Sequence, residues 1–279
     1  LLADLLKTVI SCKNNSLEQS KKIKIAIIGG GNVAYHLARV FTSNALKPNQ
    51  ILVRNKLLRE SFEPFCNSVI HTLQQLDSCD ILFLAVNDDA VSDLAKQIKL
   101  TNTLIVHTSG SLNADAAASM NNQYGVFYPL QTFSKARFPD FNEIPVFIQA
   151  GDNKSLELLK LVAGKITKNV QLSDDHIRKS LHVAAVFVSN FSHALFALAE
   201  DFLKAETVPF AHLHPLIKET ANKAVETNLY QSQTGPARRN DFRTIENHLK
   251  ILAQHPEKIE IYKLLTSYIH HKYHPGKHE

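Results

Sequence analysis

Gly29-Gly30-Gly31-Asn32-Val33-Ala34 follows an apolar run directly and opens a stretch with helical apolar spacing. It fits G-x-G-x-x-A. In that pattern the first glycine permits a tight turn, the second lets backbone approach a pyrophosphate, and the alanine lets the helix pack close on the strand. The phosphates then rest on the N–H groups of the helix N-terminus. The chemistry implied is dinucleotide binding, with Gly29, Gly31, Asn32 and Val33 as contacts. A glycine-rich turn that holds no ligand is the alternative.

The next apolar run decides which dinucleotide. An NAD site places an acid about 20 residues beyond the glycines, to bond the ribose hydroxyls. Here the run ends Val53-Arg54-Asn55-Lys56, with no acid. Arg54 offers a planar donor fork for a 2′-phosphate, and Asn55 can hydrogen-bond beside it. The expected cofactor is therefore NADP(H), unless Arg54 and Lys56 are merely a solvated strand end. Farther on, Ala85-Val86-Asn87-Asp88 ends a strand whose carboxyl edge should pass along the cofactor. Asp88 serves equally as a helix N-cap. His107-Thr108-Ser109-Gly110-Ser111 ends the following strand on the same edge. Ser109 is placed near the nicotinamide. His107 is a catalytic candidate or a structural histidine.

The long helical pattern over residues 176–204 is apolar in its middle, yet carries His182, Ser189, Asn190, Ser192 and His193. At 100° per residue, His182 and Ser189 lie about 20° apart and His193 about 40° from Ser189. A polar stripe on a buried helix must be hydrogen-bonded or line a wet cavity. Read as a pocket, it makes His182 a proton donor, with Asn190 orienting a carbonyl, imine or carboxylate and Ser189 beside them. A network at a helix or dimer interface satisfies the stripe as well. Thr234-Gly235-Pro236-Ala237-Arg238-Arg239-Asn240-Asp241 forms a turn between helices. Arg239 is the candidate for an anionic substrate group, and Asp241 can cap the next helix.

The elements that must position these groups follow from periodicity. Strand runs occur at 23–28, 51–53, 69–70, 81–86, 103–107, 126–128, 146–148 and 170–172, with helical patterns at 32–46, 89–98 and 154–166. Alternating strand and helix implies a doubly wound, mainly parallel Rossmann sheet, an α/β domain over residues 22–172. After Ser173 the pattern is all-helical: 176–204, 212–230, and 242–272 with a break at Pro256. Residues 173–279 are expected to form a helical substrate and dimerisation domain. Residues 1–21 read as an extension before the first strand.

Composition narrows the function classes. Of 279 residues, 44% are apolar and 20% charged, an ordinary globular balance with material for a large core. The net charge of +5 comes with no nucleic-acid-binding signature, and a pocket for a phosphorylated cofactor accounts for its sign. Cys12, Cys66 and Cys79 are scattered and odd in number, which reads as reduced thiols in a cytoplasmic protein. No metal is expected: His212 and His214 lack further ligands, and the tail His270–His278 reads as solvated. No stretch approaches the roughly 18 apolar residues needed to span a bilayer, and residues 1–10 lack the features of a signal peptide. No membrane partner is expected.

Taken together, these motifs resemble a known family. They are the glycine turn, His107-Thr108-Ser109-Gly110, Tyr128-Pro129-Leu130-Gln131-Thr132-Phe133, His182-Val183-Ala184-Ala185 with Ser189-Asn190-Phe191, and Thr234-Gly235-Pro236 with Arg238, Arg239 and Asp241. The chain resembles candidate NADP oxidoreductases that join a Rossmann-like domain to a C-terminal helical domain of unknown function. The likeness spans residues 22–268. It implies kinship with pyrroline-5-carboxylate reductase, deazaflavin-dependent NADP reductases and the β-hydroxyacid dehydrogenases. In those proteins a small-molecule substrate sits between the nicotinamide and the helical domain, which often forms a homodimer. The β-hydroxyacid dehydrogenases place a catalytic lysine one turn before an asparagine on the first long helix. If Asn190 is that asparagine, the lysine position falls near Val186, where there is none. The leading expectation is an NADP(H)-dependent reductase of a small carbonyl or imine compound. The alternatives are a nucleotide or redox sensor without turnover and a β-hydroxyacid or ketopantoate-type dehydrogenase with a relocated catalytic group.

Overall fold

The structure, a computed structural model, describes residues 22–275. The expected extension 1–21, Cys12 and residues 276–279 of the histidine-rich tail lie outside the described residues.

The first part alternates as its periodicity predicts. β1 (Ile25–Ile28) leads into α1 (Asn32–Ser43), β2 (Gln50–Leu52), β3 (Ser68–Ile70), β4 (Ile81–Leu84) and α2 (Asp88–Gln97). β5 (Leu104–His107), β6 (Gln123–Pro129), β7 (Val146–Ala150), α3 (Asn153–Gly164) and β8 (Val170–Leu172) follow. They form one eight-stranded sheet in the order β3-β2-β1-β4-β5-β6-β7-β8. All neighbours are parallel except β6 and β7. That reversal follows from the connection: only a loop with a short 3-10 turn, Phe141–Glu143, joins β6 to β7. Parallel pairing needs a crossover that returns the chain to the starting edge.

Alternate residues of each strand feed two cores. Ile25, Ile27, Ile51, Phe83, Val106 and Phe127 pack under α1 and α3, against Leu37, Phe41, Leu159 and Val162. Ala26, Ile28, Leu52, Leu82, Leu84 and Ile105 face the other way, against Val91 and Ala95 of α2. Strands covered on both faces read as continuous apolar runs, which is why they are visible in the sequence.

α4 (Asp175–Ala185) continues through a π-helical turn, Val186–Phe191, into α5 (Ser192–Ala205). α6 (His214–Glu226), α7 (Phe242–Ile251) and α8 (Pro256–Tyr273) complete the helices longer than one turn among the described residues. The expected break at Pro256 is present, with Pro256 in the first turn of α8. The chain divides into two compact units, one ending at Ser189 and one beginning at Asn190.

Two expectations change here. The π-turn packs one extra residue into a turn, so the 100° spacing that aligned His182 with Ser189 and His193 does not hold through it. Asn190 and His193 are exposed. The expectation that no stretch approaches a bilayer span is also corrected. The helix Asp175–Ala205 has an 18-residue window of mean hydropathy 1.6, none of it buried within the chain. Its Ala, Val, Leu and Phe content outweighs the scattered polar residues, although no long uninterrupted apolar run occurs.

Candidate functional site

The glycine turn is built as its residue types require. Gly29 has φ +150°, and a Cβ there would lie 2.1 Å from the Ala85 carbonyl oxygen of the neighbouring strand end. Only glycine permits that approach. Gly31 precedes α1 as its N-cap residue, and a Cβ on it would meet nothing within 4 Å. The turn therefore opens onto free space. A cavity of about 700 Å³ begins there, lined by Gly29, Gly31, Arg54, Ala85, Val86 and Asn87 among others. Six of the ten predicted cofactor contacts thus share one cavity at the carboxyl edge of β1, β2 and β4. Arg54 is exposed and makes no ion pair among the described residues, so its donor fork is open.

The other four predicted contacts have protein partners or lie farther along the edge. The Asn32 amide donates to the Phe133 carbonyl at 2.8 Å, tying the loop after β6 to the first turn of α1. Val33 packs half-buried against the core. Asn55 caps a 3-10 turn by accepting from Leu57 N–H at 3.0 Å. That local bond competes with any ribose contact by the same oxygen. Ser109 donates its hydroxyl to Asp88 Oδ2 at 2.9 Å, and Ser111 donates to the same oxygen. Asp88 is therefore not the N-cap of α2. Asn87 holds that position, and the Asp88 carboxylate pins the loop after β5.

Beyond β5, three motifs that are distant in sequence converge. Tyr128, near the end of β6, is 9% exposed. Its hydroxyl is hydrogen-bonded to Nδ1 of His182 on α4 at 3.0 Å. His182 in turn presses on Gly110, where a Cβ would lie 2.6 Å from the same nitrogen. A side chain at position 110 would displace the imidazole. Burial raises the Tyr128 phenol above the ordinary tyrosine range, opposed in part by the Arg178 charge. The phenol therefore keeps its proton at neutral pH.

Arg178 underlies this pair. It lies one turn before His182 on α4 and is fully buried. Its guanidinium donates to Gln149 Oε1 at 2.6 Å, to Asp175 Oδ1 at 2.8 Å and to the Leu112 carbonyl. Asp175 also accepts from Ala114 N–H at 3.0 Å. Burial pushes the Asp175 carboxyl up, but the bonds from Arg178 and Ala114 and the Arg178 charge outweigh it and hold it below its ordinary value. The sequence reading missed both Tyr128 as a site residue and Arg178. A charged residue four positions before His182, on the face that carries it, was the available signal.

His107 has its ring satisfied by backbone. Ser109 N–H donates to Nδ1 at 3.2 Å, so the hydrogen sits on Nε2, which donates to the Asn113 carbonyl at 3.0 Å. Burial, then the Arg178 charge, lowers its pKa to about 4. At neutral pH it is a neutral, fully bonded peg for the Ser109–Asn113 loop. In the second unit, Asp241 caps α7, accepting from Thr244 N–H at 3.1 Å. Arg238 stacks on Tyr273 at 4.4 Å, while Arg239 is exposed on the turn Ala237–Arg239. No cluster able to hold a metal occurs among the described residues.

Residues 24–110 match the family described as NADP oxidoreductase, coenzyme F420-dependent, and residues 144–269 match a domain of unknown function, DUF2520. A candidate NADP oxidoreductase from Bacteroides fragilis is 36% identical, over 89% of this chain and 98% of that one, with a TM-score of 0.84. Two more distant structures share the fold. A reductive aminase from Aspergillus terreus, in complex with NADPH and ethyl-5-oxohexanoate, is 14% identical over 92% and 95% of the two chains, TM-score 0.68. An imine reductase from Myxococcus stipitatus, in complex with NADP+, is 17% identical over 91% and 95%, TM-score 0.61. No curated protein matches. The site and fold define a nicotinamide-dependent oxidoreductase. The chain belongs to the NADP oxidoreductase family that couples this Rossmann-like domain to DUF2520, and its cofactor is NADP(H).

Proposed function

We propose that the protein reduces a small carbonyl or imine compound with NADPH, and that His182 supplies the proton. The observation that carries this reading is the Tyr128–His182 pair held against Gly110, beyond the carboxyl end of β5. In a doubly wound sheet that edge is where ligands bind. The cofactor supplies hydride to the electrophilic carbon. The protein's part is to orient the substrate and protonate the oxygen or nitrogen that gains electron density. With Nδ1 committed to the Tyr128 hydroxyl, the imidazolium delivers its proton from Nε2. Tyr128 holds the ring at the far nitrogen, and His107 holds the Ser109–Asn113 loop against which the ring rests.

Arg54 is the proposed 2′-phosphate contact. Titration with NADPH and NADH, followed by nicotinamide fluorescence, is expected to show tight NADPH binding that weakens at least tenfold in Arg54→Ala, a loss of about 1.4 kcal/mol. NADH binding should be unmoved. A panel of ketones and aldehydes, with and without amines, then tests the substrate class. Absence of NADPH oxidation across that panel would overturn it.

A homodimer is proposed through the long helix. Its apolar window is unburied within the chain, with Phe187 at 61% and Val188 at 77% exposure. Apolar area of this extent on one helix marks an interaction surface. A second copy accounts for it without a membrane. Sedimentation is expected to give a dimer at micromolar concentration without detergent, and a monomer there would refute the assignment. The buried free thiols of Cys66 and Cys79, the latter pushed up to about 12 by burial and by Asp80, fit a reducing cytoplasmic compartment.

A further inference from the structure

The end of β3 presents a group that the glycine turn and Arg54 leave unused. β3 lies outside β2 at the sheet edge, and Leu52 pairs with Ile70. The two strand ends continue in step. Val53 N–H donates to the Ile70 carbonyl at 3.0 Å, and His71 Nδ1 lies 2.8 Å from the Val53 carbonyl oxygen. A carbonyl only accepts, so Nδ1 carries a hydrogen. The backbone N–H of His71 is also fixed, donating to Gln75 Oε1 at 3.0 Å. The imidazole is thus anchored to the residue that immediately precedes Arg54. Both His71 and Arg54 line the cavity that begins at the glycine turn. Nε2 of His71 has no protein partner among the described residues.

In this fold the adenine ribose lies beyond the end of β2, and a 2′-phosphate on it is met by a nearby arginine. We propose that His71 is a second 2′-phosphate contact and, with Arg54, sets the preference for NADPH over NADH. Nδ1–H stays on the Val53 carbonyl while the imidazolium donates from Nε2 to a phosphate oxygen. Two cationic donors on adjacent strand ends neutralise a dianion better than one, and a charge-assisted bond outweighs a neutral one. Arg54 and Asp93 are the other charged residues lining the cavity, and the Asp93 carboxylate lies 3.7 Å from the Lys96 ammonium. The inference rests on the NADP(H) reading of Arg54 and adds the neighbouring strand to it.

The test compares affinities of the full chain for NADPH, NADH and 2′,5′-ADP in the wild type, Arg54→Ala, His71→Ala and His71→Gln. NADH carries the same adenosine without the phosphate, so its unchanged binding reports an intact pocket. Expected is a five- to tenfold loss of NADPH and 2′,5′-ADP affinity in His71→Ala, with NADH unmoved, up to about 1.4 kcal/mol. His71→Gln can keep a hydrogen bond to Val53 but carries no charge, and should recover only part of the loss. Equal weakening of NADPH and NADH would make His71 a structural peg and overturn the inference, as would no change in either. A loss in Arg54→Ala with none in His71→Ala overturns this inference alone. A wild type that does not distinguish NADPH from NADH overturns the Arg54 reading together with it.

Discussion

Replacing Arg178 with alanine is expected to destabilise the first unit by about 3 kcal/mol, the lower part of the range for removing one partner of a buried charged pair. The side chain is fully buried and bridges three elements: Asp175 on its own helix, Gln149 on β7 and the Leu112 carbonyl after β5. Its loss leaves the Gln149 and Leu112 oxygens without their donor and opens a cavity where a large side chain stood. The cost stays below the top of the range because Asp175 is 35% exposed and keeps its bond from Ala114. Arg178→Lys retains the charge without the fork and should lose less. Urea denaturation reads the effect as a lower midpoint at unchanged slope. The pH dependence has a definite sign. Asp175 is held below its ordinary value in the folded state, so its contribution is full above the unfolded carboxylate pKa of about 4 and fades as pH falls through the folded value. The difference between wild type and Arg178→Ala should therefore narrow in acid. A variant as stable as wild type at neutral pH would show that the network is not what joins α4 to the sheet.

Replacing His182 with alanine should lower kcat by a factor of about 10² to 10⁴, the usual contribution of a positioned general acid. NADPH affinity should hold, because the cofactor cavity is lined by other residues. Tyr128→Phe tests the positioning role. It removes the hydroxyl that bonds Nδ1 but leaves the ring and its packing. The expected loss is about fivefold, corresponding to one hydrogen bond of about 1 kcal/mol. The size of the loss separates the two roles: His182→Ala removes the proton donor itself, whereas Tyr128→Phe leaves the imidazole in place and should keep far more of kcat. If His182→Ala left kcat within threefold of wild type, the proton would have to come from elsewhere. The 3.0 Å pair would then be a structural contact between α4 and β6.

The two largest effects fall on residues that the sequence treats very differently. His182 stands out because a histidine interrupts an apolar helical pattern. Tyr128 reads as one more aromatic in a strand, and Arg178 as an ordinary charge near a helix start. What marks them is burial and partners, and neither property belongs to a residue on its own. The same holds for His107. As a residue type it is a candidate acid, and only a donor at Nδ1 and an acceptor at Nε2 make it a neutral peg.

The sequence by itself determined the eight strands, their parallel majority, the glycine turn and Arg54 at the end of β2. Each depends on local rules: apolar runs form doubly covered strands, and a turn at which a Cβ would fall 2.1 Å from a carbonyl oxygen admits only glycine. Element ends were legible to within a few residues, as the helix expected to 46 and ending at Ser43 shows. Tertiary structure alone decided the rest. The antiparallel β7 depends on how far the connection returns, which periodicity does not encode. The π-turn at Val186–Phe191 broke an alignment calculated on straight α-helical geometry. The meeting of Tyr128, His182 and Gly110 brings His182 to residues more than fifty positions before it, and only the packing of α4 onto the ends of β5 and β6 brings them into contact.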